Sequence, residues 1–200
     1  MRKTNDPIGK VRQLQRKLYL GAKRNKSRRF HALYERIHDW EVLEESWKRV
    51  RANHGAAGID GKTLEAIEAE GIEAFLKKIQ RYLQEGRYHP AAVRRVEIPK
   101  ADGSKRPLGI PTVRDRVVQM AAKMVLEPIF EADFKDASFG YRPKRGSLEA
   151  MEKIRGLANQ GYNFVIDADI RNYFGSIEHE KLMNAVEDRK STRLNSSHRL

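Results

Sequence analysis

The sequence predicts an α+β fold in which helices predominate. Several segments repeat apolar residues at helical intervals, which predicts amphipathic helices. An Asp102-Gly103 pair separates two short apolar stretches, and an apolar run from Phe164 is rich in strand-forming residues. Hydrophobic residues make up 40% of the 200 residues, which is enough for a packed core. We therefore expect a folded chain of helices with a small amount of sheet.

Positive charge is concentrated at the N-terminus. The chain has a formal net charge of +13, and residues 1–30 hold eleven Lys or Arg residues against the acid Asp6. We expect residues 1–50 to form a basic helical extension that packs one face and presents the other to a polyanion. A solvated charged helix and an acidic membrane surface are the alternatives. The apolar residues with helical spacing are Val11, Leu14, Leu18, Phe30, Leu33 and Ile37.

The composition excludes several classes of protein. The chain has no cysteine, which rules out a disulfide framework, a thiolate metal site and a thiol nucleophile. No apolar run approaches the roughly 20 residues that span a bilayer. The N-terminus also lacks the apolar segment of a signal peptide. We therefore expect a cytoplasmic protein without a membrane partner.

A loop and a helix follow the basic extension. Residues 53–61 are rich in glycine and predict a loop between two helical stretches. The spacing of apolar residues then predicts one helix that begins at Thr63 and is closed by Gly86. Its apolar positions are Leu64, Ile67, Ile72, Phe75, Leu76, Ile79 and Leu83.

A hairpin and two further helices come next. Apolar residues on both sides of Asp102-Gly103 predict two antiparallel strands joined by a turn. Thr112 and Asp115 have the spacing of a capping box, so a helix is predicted to begin there and to end at Pro128. Another helix is predicted from Ser147. Its apolar face would carry Leu148, Met151, Ile154 and Leu157.

The run from Phe164 to Phe174 ends in two acids and an aromatic pair. On a strand, alternate side chains share a face, so Asp167 and Asp169 would lie together near the end of the run. Carboxylate oxygens suit Mg²⁺, and two-metal enzymes hold two such ions about 3.5–4 Å apart. The pair therefore predicts half of a magnesium site for phosphoryl transfer. From the residue types alone, a helix cap is the alternative.

The C-terminal residues break the amphipathic pattern. Residues 188–198 read Asp-Arg-Lys-Ser-Thr-Arg-Leu-Asn-Ser-Ser-His, which is also the translation of a common sequencing-adapter strand. Chance does not account for agreement over eleven positions. We therefore expect the natural sequence to diverge after about Glu187 and residues 188–200 to be an artefactual tail. An ordinary basic tail is the alternative.

Several short blocks follow one another in a distinctive order. Residues 55–61 read Gly-Ala-Ala-Gly-Ile-Asp-Gly, and Ile98-Pro99-Lys100 precedes Arg-Pro-Leu-Gly-Ile-Pro at 106–111 and Asp-Arg-Val-Val-Gln at 115–119. Downstream lie Ser-Phe-Gly-Tyr-Arg-Pro at 138–143 and Gly-Ser-Ile-Glu-His at 175–179. In this order the blocks resemble the reverse transcriptases encoded by group II introns, the intron maturase family. The resemblance runs from about Asn53 to Glu187.

The resemblance implies that residues 51–187 form the fingers, made of helices and a β-hairpin, and the beginning of a right-hand polymerase palm. Lys100 and Arg106 match the positions that neutralise the triphosphate of an incoming deoxynucleotide. Phe139, Tyr141 and Arg142 match a block that lies along the template and the nucleotide. Solvated hairpin charges, and burial of the two aromatic rings in the core, are the alternatives.

The resemblance also implies specific roles for residues in the run from Phe164 to Phe174. Asp169 matches the first metal-binding carboxylate, and Ile170 matches the residue whose main-chain carbonyl contributes to the second-metal environment. Phe174 matches the aromatic residue that excludes a ribose 2′-hydroxyl. Asp167 lies outside the family motif, and we expect it to be solvated. In the basic extension, the expected RNA contacts are Arg24, Lys26, Arg28 and Arg29.

The function implied by the resemblance is RNA-directed DNA polymerisation that uses Mg²⁺, with a maturase role in intron splicing and mobility. The expected partners are intron RNA, an RNA template with a DNA primer, and deoxynucleoside triphosphates. The family's second catalytic block, Tyr-x-Asp-Asp, does not occur in this sequence. We therefore expect a truncated palm and no polymerase activity from this chain alone. A non-catalytic splicing cofactor that binds intron RNA and a nonfunctional gene fragment are the alternatives.

Overall fold

The computed structural model describes residues 7–101 and 103–189 and confirms an α+β fold that is rich in helix. No helix in this part of the chain is long and apolar enough to span a membrane. The tail expected to be artefactual lies outside the described residues from position 190 onward. The elements are α1 (Pro7–Arg24), α2 (Leu33–Ile37), α3 (Trp40–Ala52), α4 (Leu64–Glu70), α5 (Ile72–Gln84), β1 (Arg94–Pro99), β2 (Lys105–Ile110), α6 (Val113–Glu131), α7 (Ser147–Asn159), α8 (Tyr173–Ser176) and α9 (His179–Arg189).

The described chain divides into two compact units. The first comprises residues 7–19 and 32–128, and the second comprises residues 20–31 and 129–189. In the first unit, the Tyr34 hydroxyl donates to the main-chain carbonyl of Leu83 at 2.7 Å, which links α2 to the end of α5. Its core is apolar, as the helical spacing predicts. Core residues include Val11, Leu18, Leu33, Val42, Leu43, Trp47, Val50, Leu64, Ile67, Leu76, Ile79, Leu83, Val113, Val117, Ala121, Met124 and Val125.

The basic extension is helical and amphipathic, as predicted, but it is interrupted. Helix α1 ends at Arg24, and a turn at residues 25–32 separates it from α2. Val11, Leu18 and Leu33 are buried, whereas the basic residues between Val11 and Leu18 are exposed. The apolar residues therefore pack, and the basic side chains face solvent.

The single helix predicted from Thr63 to Gly86 is wrong, because the structure has two helices there. The Thr63 hydroxyl caps α4 by accepting from the main-chain N–H of Ala66 at 3.1 Å. Gly71 has a φ of +107°, a left-handed conformation that ends α4 before α5 begins. The apolar spacing continues across this break, so periodicity alone cannot reveal it.

The prediction that Pro128 ends its helix is also wrong, because α6 continues to Glu131. A proline within a helix has no N–H to donate to the carbonyl four residues earlier, which here belongs to Met124. The side chain of Gln15 supplies the missing donor, with its Nε2 lying 3.2 Å from the Met124 carbonyl oxygen. The helix therefore passes through Pro128 without leaving this carbonyl unpaired.

The hairpin forms as predicted. Strands β1 and β2 pair antiparallel, with Arg94 opposite Ile110 and Pro99 opposite Lys105. Gly103, in the turn between the strands, has a φ of +80°, which suits glycine. Most of the hairpin's side chains are exposed.

The strand predicted at Phe164 is not formed. Residues 162–170 are irregular, and Phe164 is 100% exposed. A strand needs a neighbour for its main-chain hydrogen bonds, and in the described residues the sheet contains β1 and β2 alone. Helix α7 forms as predicted from Ser147, but its apolar face is solvent-exposed. That face carries Leu148, Met151, Ile154 and Leu157.

Candidate functional site

The hairpin presents two cations at and beside its tip. Lys100 starts the turn, where its main-chain N–H donates to the carbonyl of Ser104 at 2.7 Å. Arg106 lies on β2 opposite Ile98. Both side chains are exposed, and neither forms an ion pair with a described residue, whereas Lys105 lies 3.3 Å from Glu97. Lys100 and Arg106 are therefore available to an anionic ligand.

A buried carboxylate ties together the two ends of the hairpin. Asp115 is 2% exposed and accepts hydrogen bonds from the Thr112 hydroxyl at 2.6 Å, the Ala91 N–H at 3.1 Å and the Tyr88 hydroxyl. Tyr88 and Ala91 precede β1, and Thr112 follows β2. The predicted capping of α6 is confirmed, because the Asp115 N–H donates to the Thr112 hydroxyl at 3.1 Å.

Burial and hydrogen bonding shift the pKa of Asp115 in opposite directions. Burial raises the pKa of this carboxyl, but the hydrogen bonds from Thr112, Tyr88 and Ala91, with the charge of Arg114, hold its pKa below the usual value. Burial and the bond to Asp115 raise the pKa of Tyr88. Asp115 is therefore a buried carboxylate that anchors the hairpin. The three-residue spacing of Thr112 and Asp115 predicted their contact. The contacts of Asp115 with Tyr88 and Ala91 could not be predicted in this way, because these residues lie more than twenty positions away.

The glycine-rich loop packs directly against the start of α6. A Cβ atom on Gly58 would lie 2.6 Å from the Cα of Thr112, so this position has no room for a side chain. Gly55 lies against the guanidinium of Arg116, whose Nη2 donates to the main-chain carbonyl of Ala56. The 55–61 block and the 115–119 block are therefore neighbours in the structure. Sequence reasoning did not select Gly55, Gly58 or Arg116 as functional.

The acidic segment is exposed and irregular. Asp167, Asp169 and Ile170 all lie in the irregular stretch at 162–170. Asn172 has a φ of +51° and precedes the short helix α8. The rings of Tyr173 and Phe174 meet edge to face, with centroids 5.2 Å apart, and Phe174 is largely exposed. Phe174 is therefore accessible to a ligand.

The described residues do not by themselves form the expected magnesium site. Among residues 7–101 and 103–189, no three acidic, histidine or cysteine side chains gather closely enough to hold a metal ion. Asp169 and the carbonyl of Ile170 are oxygen donors of the type that Mg²⁺ binds, but they are too few to enclose it.

Arg142, in the 138–143 block, donates its hydrogen bonds to nearby residues of the same chain. Arg142 is 8% exposed, and its Nε and Nη2 donate to the carboxylate of Glu131 at 3.0 and 2.7 Å. Its Nη1 donates to the main-chain carbonyls of Lys135 and Ser138, both at 2.7 Å, and the guanidinium lies 4.9 Å from the ring centroid of Phe134. The structure thus gives Arg142 a role in folding its loop, and the template contact expected from the resemblance stays a prediction.

The two aromatic residues of this block differ in exposure. Tyr141 is 95% exposed with a φ of +56°. Phe139 is half-buried, and the guanidinium of Arg145 lies 5.7 Å from its ring centroid. Tyr141 is therefore the ring more available for stacking.

The basic turn after α1 is exposed. The side chains of Arg24, Lys26, Arg28 and Arg29 all face solvent. Asn25 shapes the turn, because its side-chain oxygen accepts from the N–H of Ser27 at 3.0 Å and from the Ser27 hydroxyl at 2.8 Å. The Arg28 guanidinium lies 5.4 Å from the ring centroid of buried Phe30. The turn therefore presents a local cluster of cations.

Comparison with known proteins decides the family. The family described as reverse transcriptase (RNA-dependent DNA polymerase) matches residues 98–196. The group II intron-encoded protein LtrA of Lactococcus lactis subsp. cremoris is 34% identical over 160 residues, which are 78% of this chain and 26% of LtrA. The chain belongs to the group II intron reverse transcriptase and maturase family.

Other relatives share the same region of this family. Protein YkfC of Escherichia coli strain K12 is 37% identical over 187 residues, which are 90% of this chain and 49% of YkfC. The putative COX1/OXI3 intron 2 protein of Saccharomyces cerevisiae is 29% identical over 153 residues, which are 76% of this chain and 17% of that protein. The chain thus spans about half the length of YkfC and less of the other two relatives. The region at 98–196 that matches the reverse transcriptase family includes the hairpin tip, the 138–143 block and Asp169.

Proposed function

We propose that this chain forms the fingers and the first part of the palm of an RNA-directed DNA polymerase that a group II intron encodes. In this proposal the whole protein also acts as a maturase in splicing and mobility of the intron. The observation that carries the proposal is the exposed hairpin, which offers Lys100 and Arg106 without ion-pair partners among the described residues. The kind of reaction, RNA-directed DNA polymerisation, is inferred from the family to which the chain belongs.

The hairpin would bind the triphosphate of the incoming deoxynucleotide. Arg106 can form paired hydrogen bonds to phosphate oxygens, and Lys100 can act as a compact positive charge beside them. Asp115 would hold the base of the hairpin through Tyr88, Ala91 and Thr112. A hairpin fixed at its base can present its tip cations at a defined position.

The acidic segment would contribute to the catalytic centre. Asp169 would be a magnesium ligand and Ile170 would offer its carbonyl, with the remaining ligands supplied by residues outside the described ones. Magnesium would supply charge stabilisation for attack of a primer 3′-hydroxyl on the α-phosphate. Phe174 would exclude a ribose 2′-hydroxyl by contact. Tyr141 and Phe139 would lie along the template and nucleotide, where aromatic rings can stack on bases.

The basic turn would bind intron RNA. Arg24, Lys26, Arg28 and Arg29 are exposed and close in sequence, as suits contact with phosphate groups. Contacts of this kind raise affinity by releasing counterions and carry little sequence information.

Primer extension tests the polymerase part of the proposal. The protein expressed from its complete reading frame should extend a DNA primer on an RNA template with deoxynucleotides and Mg²⁺. Asp169→Asn should lower the rate by about a thousandfold or more, since a lost metal ligand costs several kcal/mol of transition-state stabilisation. RNA affinity should not change, and Asp167→Asn is the matched control that should keep activity. Full activity of Asp169→Asn would remove this residue from the metal site.

Salt-dependent RNA binding tests the RNA part separately. Replacing Arg24, Lys26 and Arg28 by Gln should weaken intron RNA binding and reduce the slope of log affinity against log salt by about 0.7–0.9 for each phosphate that the protein no longer neutralises. A triple Gln variant at Lys77, Arg155 and Lys181 removes equal charge from exposed helix ion pairs and serves as the control. Equal weakening in the two variants would show that the basic turn is not a specific RNA contact.

A further inference from the structure

A small cavity lies beside the end of α3 and the middle of α6. Its volume is about 250 Å³, which is below the roughly 300–1,000 Å³ of pockets for drug-sized ligands. A cavity of this size suits a single small group better than a complete nucleoside triphosphate. The lining residues are Val50, Asn53, Arg116, Gln119, Met120 and Lys123.

Arg116 brings an unusual guanidinium to this cavity. Its Nη2 donates to the carbonyl of Ala56, and Gly55 lies against its Nη1. Its Nε is buried and has no hydrogen-bond partner in the described part of the protein. A buried donor without an acceptor is rare in folded proteins, and it leaves this guanidinium with unused hydrogen-bonding capacity.

The charge around Arg116 favours an anion over a neutral group. Burial lowers the pKa of the guanidinium, and the charge of Asp60 opposes this only in part. The described residues that line the cavity include the cations Arg116 and Lys123 and no carboxylate. Lys123 lies 3.5 Å from Glu127, one helical turn away and outside the lining. An anion in the cavity would therefore offset the excess positive charge of Arg116 and Lys123.

We propose that this cavity binds a phosphate group between the guanidinium of Arg116 and the ammonium group of Lys123. The amide side chains of Asn53 and Gln119 line the same space and can donate to the remaining phosphate oxygens. The phosphate comes either from an RNA backbone or from a free nucleotide. For RNA as the source, the inference rests on the proposed function, and it adds a contact separate in sequence from the basic turn and the hairpin tip.

NMR of the arginine side chains tests the site directly. The 200-residue chain labelled with ¹⁵N is titrated at constant ionic strength with inorganic phosphate, adenosine monophosphate and a short single-stranded RNA. The Nε–H resonance of Arg116, assigned from its loss in Arg116→Lys, should shift and saturate. A shift with all three probes supports a site open to free phosphates, and a shift with RNA alone supports a backbone phosphate.

Substitutions of two exposed lysines, Lys123 and Lys48, test whether the probe binds in the cavity. Lys123→Gln should raise the dissociation constant for the bound probe at least threefold. Lys48→Gln is the matched control, because Lys48 also forms an i,i+4 pair at 3.5 Å, with Glu44, and does not line the cavity. No saturable shift with any probe, or equal weakening in the two variants, would overturn the phosphate site. Such a result leaves primer extension and the salt dependence of the basic turn unaffected, so it is distinguishable from failure of the proposed function.

Discussion

The side chain of Gln15 donates a hydrogen bond to the main-chain carbonyl of Met124, with 3.2 Å between Nε2 and the oxygen. Pro128 is the residue whose N–H would otherwise serve this carbonyl, and proline has none. Met124 is buried, so water is a poor substitute donor. One side chain of the basic extension thus compensates for a proline within α6.

Loss of the Gln15 amide should destabilise the protein. Gln15→Met keeps the side chain's length and leaves the Met124 carbonyl unpaired, which costs about 1–3 kcal/mol in the free energy of unfolding. Chemical denaturation measures this loss, and Gln13→Met, at an exposed position of the same helix, is the control. In a Pro128→Ala background the restored N–H should make Gln15→Met nearly neutral. An unchanged cost in that background would contradict the compensation.

Gly58 should tolerate no side chain. The Cβ of Gly58→Ala would lie 2.6 Å from the Cα of Thr112, and neither main chain can move without disturbing the start of α6. We expect a loss of about 1–3 kcal/mol in the free energy of unfolding, the usual cost of overpacking. Gly156→Ala is the control, because no atom lies within 4 Å of its added Cβ and alanine favours helix α7. Equal stability of the two variants would show that the loop does not pack tightly on Thr112.

Stability should depend on pH through Asp115. Its folded pKa lies below the ordinary value of about 3.9, so its carboxylate stabilises the fold above that pH and this contribution is lost as pH falls through the folded pKa. Asp115→Asn should therefore cost about 1–3 kcal/mol near pH 7 and progressively less below about pH 4. Unfolding at a series of pH values measures the difference, with the exposed Asp167→Asn as the control. A pH-independent difference would exclude the charge of Asp115 as its cause.

Replacing Arg142 should destabilise the loop that it holds together. Arg142→Gln removes the paired bonds to Glu131 and leaves the carbonyls of Lys135 and Ser138 without their donor. A loss of about 1–2 kcal/mol would raise the open fraction of the loop about 5- to 30-fold, which trypsin cleavage within residues 133–146 detects. Arg155→Gln, which breaks an exposed helix pair, is the control. Weaker RNA binding without faster cleavage would support the template contact and contradict a purely structural role.

The sequence predicted those parts of the fold that depend on neighbouring residues. The hairpin around Asp102-Gly103, the capping of α6 by Thr112 and the amphipathic basic extension each follow from local chemistry, and the structure confirms them. The order of short blocks also predicted the family, which the comparisons confirm. Lys100, Arg106, Asp169 and Phe174 remain predictions as ligand contacts.

Four features depend on contacts that local sequence patterns do not reveal. Helix α6 passes through Pro128 because Gln15 reaches Met124, and Gly58 must lack a side chain because Thr112 packs against it. Arg142 turns inward because Glu131 and two carbonyls receive it. The run at Phe164 has the composition of a strand but no strand beside it in the described residues. Local propensity describes what a segment can form, whereas hydrogen-bond partners and packing space come from the rest of the fold.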